Sequence, residues 1–172
     1  FADYFALRGA YSTGFRAPSP GQSNAFNVST EFDLVTNDLV NNGTIPSINP
    51  IAQLRGGKAL DPEKSKNFTF GAVFGLGPID FTIDYFRIDL EDRISLSQNF
   101  ELTADEVQGL IDSGVTSAAN LRNFRFFTND FDTETTGIDV VATYSTEIGS
   151  GNTDFALAYN QTDTKVTKAG ET

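Results

Sequence analysis

Long stretches that alternate strictly between apolar and polar residues constrain this chain more than any other feature. The clearest runs from Pro78 to Phe86. Its apolar residues share one parity: Ile79, Phe81, Ile83 and Tyr85. Its polar residues share the other: Asp80, Thr82 and Asp84. Because successive side chains of a β-strand point to opposite faces, the pattern predicts a strand with one apolar face.

The same alternation predicts several strands, and the connections between them are alternately long and short. The predicted strands cover residues 3–13, 67–75, 79–98, 122–147 and 153–166. Glycine-rich turns near Gly77 and Ser150 make the short connections, whereas 14–66 and 97–122 are long. A two-faced strand ladder with one short rim and one elaborate rim is typical of outer-membrane β-barrels. We therefore predict an all-β fold: about five antiparallel strands of a larger transmembrane barrel.

The long connections form the elaborate rim, which we expect to be extracellular. The first, 14–66, is rich in Asn, Ser, Pro and Gly and is predicted to be irregular. The second holds one predicted helix, 103–113, with a capping box formed by Thr103 and Glu106. An apolar stripe follows the helical period, at Val107, Leu110 and Ile111.

The parity of the strands assigns one face to lipid. That face carries no charge at its proposed lipid positions, which are Phe68, Phe70, Ala72, Phe74, Ile79, Phe81, Ile83, Tyr85, Ile138, Val140, Ala142, Tyr144, Phe155, Leu157 and Tyr159. A basic residue at the bilayer midplane would cost about 2–4 kcal/mol. Beyond Tyr85, and before Ile138, the same parity becomes charged. We therefore expect both strands to rise above the membrane at the end with the long connections.

Composition excludes several classes of function. The chain of 172 residues has no His and no Cys and a net charge of −11. An acidic surface repels nucleic acid, and without His or Cys there is no histidine triad, cysteine nucleophile or thiolate zinc site. We predict no enzyme, no cofactor, and no catalytic or metal-binding residues; the substrate-binding residues are left undetermined. The alternative is a secreted, soluble β-sandwich, which also alternates, serving as a carbohydrate-binding or glycoside hydrolase module with two carboxylates.

Four local motifs resemble the TonB-dependent outer-membrane receptors. They are Gly14-Phe15-Arg16-Ala17-Pro18; Leu60-Asp61-Pro62-Glu63-Lys64-Ser65; Asp84-Tyr85-Phe86 with Asp92-Arg93-Ile94; and Asn129 with Thr136-Gly137-Ile138-Asp139. Asp139 stands where the family more often has Glu. The motifs occur in the family's order and cover most of the chain. We interpret them as structural markers rather than ligand contacts, and expect Arg16 to pair with a carboxylate.

The resemblance implies a barrel of about 22 strands, closed by an N-terminal plug, in the outer membrane of a Gram-negative bacterium. Such receptors import a scarce nutrient with energy from the TonB–ExbB–ExbD complex, which acts through the plug. A ferric siderophore is the expected nutrient, with haem, cobalamin and oligosaccharides as alternatives. The chain holds no plug sequence, and we expect it to be a segment of one barrel domain, residues 1–172, cut from a longer polypeptide.

Three further features suggest ligand sites. Asp130, Asp132 and Glu134 carry the carboxylates that Ca²⁺ favours, but the spacing does not fit an EF-hand loop. We interpret them as a solvated acidic face, with divalent cations bridging to lipopolysaccharide phosphates as a minority hypothesis. The amide-rich region 22–49 is suited to contact a sugar or metal chelate, although a solvated loop is preferred. Arg55 and Lys58 are candidates for attracting an anionic ligand.

Overall fold

A computed structural model describes residues 4–34 and 37–170. The strands are β1 Tyr4–Arg16, β2 Asn27–Asp33, β3 Asp38–Thr44, β4 Glu63–Leu76, β5 Ile79–Leu96, β6 Phe100–Glu101, β7 Asn123–Arg125, β8 Phe127–Ile148 and β9 Gly151–Ala169. The α-helices are α1 Pro20–Ser23, α2 Pro50–Gln53 and α3 Ala104–Asp112, and a 3₁₀-helix covers Thr116–Asn120. Residue 3, where the first strand was predicted to begin, lies outside the described residues.

The five long strands form one sheet in the order β1-β4-β5-β8-β9. β4 and β5 pair antiparallel without interruption from Lys64 opposite Glu91 to Leu76 opposite Ile79. The predicted all-β fold and its five wall strands are confirmed. β5, β8 and β9 contain 18, 22 and 19 residues. A tilted strand needs only about 9–11 residues to cross a bilayer, so these strands are long enough to extend beyond it.

The chain divides into two compact units. The wall unit contains the described residues 4–15, 64–91 and 132–167. The loop unit contains the rest of the described chain, namely 16–34, 37–63, 92–131 and 168–170. Every buried apolar side chain among the described residues belongs to the loop unit. The wall unit is therefore a sheet without a hydrophobic core of its own.

The outer face of the wall unit is apolar and open. Leu157 is 73% exposed, Phe70 is 48% exposed, and Phe81 and Val140 are half-buried. None of the residues assigned to lipid from the sequence is buried. Phe74 and Phe81 lie opposite each other on β4 and β5, and their rings stack with centroids 5.3 Å apart. A soluble sandwich would bury this face under a second sheet, and the described residues supply no such cover.

The loop unit contains structure that the sequence prediction missed. Region 14–66, predicted to be irregular, holds α1, the antiparallel β2–β3 hairpin, α2 and the beginning of β4. The predicted strand 122–147 is in fact two strands. β7 joins a second sheet of order β2-β3-β7-β6, and β8 begins at Phe127 in the wall. The break falls at Phe126, because its side chain is fully buried in the loop unit.

A compact hydrophobic core holds the loop unit together. Its aromatic centre consists of Phe100, Phe124 and Phe126, whose ring centroids lie 5.6–6.3 Å apart. Ile45 and Ile51 reach the same core from the first long connection. The predicted helix 103–113 is confirmed as α3. Leu110 is the buried residue of this helix, and it packs into the core of the loop unit. Among the described residues, no helix combines the length and apolar character needed to cross a membrane.

The exposed outer face leads to a test at Leu157. An exposed Leu on a soluble surface tolerates Arg within about 0.5 kcal/mol, whereas Arg facing hydrocarbon costs about 2–4 kcal/mol. We expect Leu157→Arg to lower the unfolding free energy of the complete protein in lipid bilayers by the larger amount, as measured by denaturant titration. Ala158→Arg is the matched control, since Ala158 is the next residue of the strand and its side chain points to the opposite face of the sheet. Equal costs for the two substitutions would contradict a lipid-facing surface at Leu157.

Candidate functional site

The motifs singled out in the sequence meet in a hydrogen-bonded group within the loop unit. Arg16 pairs with Glu63, with 2.7 Å between Nε and Oε2. The other carboxylate oxygen of Glu63 accepts a hydrogen bond from the backbone N–H of Ile94 at 2.8 Å. The expectation that Arg16 pairs with a carboxylate is therefore confirmed. Glu63 belongs to the second motif, and its two contacts connect the first motif with the third.

Asn129, from the fourth motif, completes this group. Its side-chain oxygen accepts from the N–H of Asp61 at 2.8 Å, and its amide donates to the carbonyl of Asp61 at 2.9 Å. The same amide nitrogen donates to the carbonyl of Asp92 at 2.6 Å. Asp92 has a φ of 56°, which is unusual for a residue other than glycine. The Asn129 side chain thus takes the place of a backbone hydrogen-bond partner for Asp61 and for Asp92. This role is structural and does not involve a ligand.

The inner face of the wall unit carries polar side chains that cross from β1 to β5. Arg8 pairs with Asp84, its Nε donating to Oδ1 at 2.8 Å, and the hydroxyl of Tyr4 donates to Asp80 at 2.7 Å. Both contacts pass over β4 at glycines, Gly71 and Gly75, where an added methyl group would overlap Asp84 or the Tyr4 ring. The two aspartates are therefore engaged in joining strands.

The outer acidic residues do not form an unpaired carboxylate cluster. The Oε2 atom of Glu134 lies 2.7 Å from Nη2 of Arg87, and Asp130 and Asp132 also have interaction partners. No group of three or more metal-ligating side chains is found in the described part of the chain. The bridging-cation hypothesis gains no support, and Glu134 is better described as one half of an ion pair.

Arg55 orders α3. Its Nη1 lies 2.7 Å from Oε1 of Glu106, its Nη2 donates to Oε2 at 3.1 Å, and the backbone carbonyl of Glu101 accepts at 3.2 Å. Glu106 also accepts from the N–H of Thr103 at 2.9 Å. The Arg55 hydrogen bonds, followed by those of Thr103, lower the pKa of Glu106 from 4.5 to about 2. The proposed attraction of an anionic ligand by Arg55 is not supported, because this guanidinium already has a partner; Lys58 is exposed.

A polar cleft of about 140 Å³ lies on the β2–β3 hairpin of the loop unit. Its lining residues are amides, hydroxyls, one carboxylate and one guanidinium, namely Asn27, Ser29, Glu31, Asn42, Gly43, Thr44, Asn99 and Arg125. Region 22–49 was a candidate from its composition, and it supplies most of the lining. Asn99 and Arg125 were missed, because nothing local in the sequence connects them with the hairpin.

The strand arrangement and its two faces define the chain as a piece of an outer-membrane β-barrel. All of it, residues 1–172, matches the family model described as TonB dependent receptor-like, beta-barrel. The chain belongs to this family, whose members are outer-membrane transporters and receptors. The resemblance stated from the four motifs is thereby confirmed.

Solved structures show the same fold. One is described as the structure of the RagAB peptide transporter: TM-score 0.58, 15% identity, covering 99% of this chain and 16% of that chain. Another is the RagAB peptide importer in the "closed-closed" state, with TM-score 0.58, 14% identity and coverages of 98% and 16%. This chain thus spans about one sixth of the length of either structure. A search of curated proteins gave no match.

Asn129 provides a test of the hydrogen-bonded motif group. Asn129→Ala removes the hydrogen bonds to the backbone of Asp61 and Asp92, and a hydrogen bond within a protein typically contributes about 0.5–1.5 kcal/mol. We expect a decrease of that size in the unfolding free energy of the complete protein. Asn120→Ala is the control, since Asn120 is exposed and should change stability by no more than about 0.5 kcal/mol. An Asn129→Ala protein as stable as the control would refute the structural role.

The Glu106 pair predicts a specific acid response of α3. Because folding lowers the pKa of Glu106, its stabilising contribution is complete above pH 4.5 and is lost as the pH falls towards 2. We expect amide hydrogen exchange in α3 to accelerate over that interval, relative to the same helix in Glu106→Gln. At neutral pH that variant should be less stable by about 1 kcal/mol or less.

Asp105→Asn is the matched control for Glu106→Gln, since it lies in the same helical turn. It should leave the acid response of α3 unchanged. If wild-type and Glu106→Gln proteins show the same pH dependence of exchange, the ion pair does not stabilise the helix.

Proposed function

We propose that this chain is part of an active importer of a scarce nutrient. Its wall strands belong to the membrane-embedded barrel, and its loop unit forms an extracellular surface that captures the nutrient. The observation that carries this proposal is the combination of an open apolar wall face with a loop unit that has its own core. A loop that served only to connect strands would not need a packed core of that kind.

The inner wall favours transport over hydrolysis. Glycoside hydrolysis needs two carboxyl groups that flank a sugar and are free to exchange protons or attack it. The inward aspartates Asp80, Asp84 and Asp139 are engaged by Tyr4, Arg8 and Asn160, respectively. Their arrangement suits a polar surface that passes solutes or holds other parts of the protein.

The nutrient class follows from two sources. Family resemblance suggests a ferric siderophore first, and then haem, cobalamin or an oligosaccharide. The solved neighbours are described as a peptide transporter and a peptide importer, which adds peptides as a candidate. Energy would come from the TonB–ExbB–ExbD complex through the plug of the complete protein. Membrane lipid and lipopolysaccharide would surround the wall. The charged residues of the wall strands beyond the apolar positions, such as Lys66 and Arg87, would lie beside the lipid headgroups.

Uptake by cells provides the test. We expect cells that express the complete protein to accumulate one class of radiolabelled nutrient, and this accumulation to disappear in cells that lack TonB. The candidates are ferric siderophore, haem, cobalamin, maltotriose and trialanine, each offered at submicromolar concentration. Surface binding should persist without TonB, because only translocation needs energy. Equal accumulation with and without TonB would exclude active import through this protein.

A further inference from the structure

We propose that the polar cleft on the β2–β3 hairpin binds a short peptide by its two charged ends. Glu31 would receive the peptide's ammonium group, and Arg125 would receive its carboxylate. This inference rests on the proposed importer function and specifies what the loop unit captures.

The cleft is one face of a small sheet. Within the hairpin, Asn27 lies opposite Thr44 and Ser29 lies opposite Asn42, so their side chains share a face. β7 pairs with β3 on its other side, with Arg125 opposite Thr44. Strand register therefore places the guanidinium on the same face as the amides and hydroxyls. Two strands of one hairpin and a third strand from a distant part of the sequence therefore build one continuous polar surface.

The two charged residues of the cleft are available to a ligand. Neither Glu31 nor Arg125 forms an ion pair within the described ranges 4–34 and 37–170. Oε2 of Glu31 accepts from Asn42 at 3.0 Å, and Nε of Arg125 donates to Thr44 at 3.2 Å. These contacts orient both side chains, while Oε1 of Glu31 and the terminal nitrogens of Arg125 keep their hydrogen-bonding capacity. Each charge is thus held in place and unneutralised.

The separation of the charges sets the ligand's length. Glu31 lies opposite Val40, four residues along β3 from Thr44, the partner of Arg125. Four residues along a strand and two strand spacings correspond to roughly 16 Å between the two Cα atoms. Both side chains are long enough to shorten the gap between their charged groups. An extended chain spans about 3.3–3.6 Å per residue, so the gap fits a peptide of about two to four residues.

The groups between the charges match a peptide backbone. The side-chain amides of Asn27 and Asn99 each carry a donor and an acceptor, as a peptide N–H and C=O require. Asn42 is already engaged, since its amide donates to Glu31 and its side-chain oxygen accepts from Asn123. An anionic ferric chelate would be repelled by Glu31 and by the chain's net charge of −11. Haem needs apolar walls, and the lining residues are polar apart from Gly43. The cleft therefore selects for a zwitterionic, hydrogen-bonding ligand.

Calorimetric titration of the complete protein in detergent micelles tests the proposal with trialanine as the probe. We expect N-acetylation or C-amidation of trialanine to weaken binding at least tenfold. Glu31→Gln should weaken binding of free trialanine and remove the effect of acetylation, while the effect of amidation remains. Arg125→Gln should do the reverse. This crossed pattern distinguishes recognition of the two ends from a general loss of affinity.

Arg122→Gln is the matched control, because Arg122 belongs to the loop unit but pairs with Glu101 and does not line the cleft. It should bind free and capped trialanine as the wild type does. Equal binding of free and capped peptides, binding of maltotriose in place of trialanine, or no binding of trialanine would each overturn the peptide site. TonB-dependent uptake of another nutrient would then leave the importer function intact, so the two failures are distinguishable.

Discussion

A strand that faces hydrocarbon must satisfy every backbone N–H and C=O within its own sheet, and the structure of the wall depends on this requirement. β4 and β5 meet it through a ladder without interruption from Lys64 to Leu76. The ladder also fixes which side chains face outwards, because a slip of one residue would exchange Phe70 for Thr69 on the apolar face. Gly77, with a φ of 58°, closes the ladder in the tight turn that sets this register.

Glycine has a second role on the inner face. Where β4 has Gly71 and Gly75, side chains from β1 and β5 meet directly across the middle strand. The absence of a side chain on the middle strand therefore links strands that do not share backbone hydrogen bonds. Lateral cohesion of the wall comes from side chains as well as from the ladder.

The wall was predictable because its signal is local: a period of two residues is visible in any short window. α3 was predictable for a similar reason, since Thr103 and Glu106 mark its start. The core of the loop unit was not, because Ile45 and Phe124 become neighbours only after folding. The break at Phe126 also depends on burial in that core, which no local window of sequence reveals.

The candidate sites, too, were predictable only where the signal is local in the sequence. The sequence predicted that Arg16 would meet a carboxylate, but only the fold identifies it as Glu63. Arg125 reaches the polar cleft through strand pairing between segments far apart in the chain, and Asn99 lies just before β6 of the same sheet. The separate core of the loop unit has an evolutionary consequence. Substitutions on the surface of the hairpin leave the core of the loop unit and the strand ladder of the wall unit unchanged, so descendants can vary the proposed binding surface on an inherited scaffold. Chimeras that exchange the loop unit between relatives would make use of the same separate core.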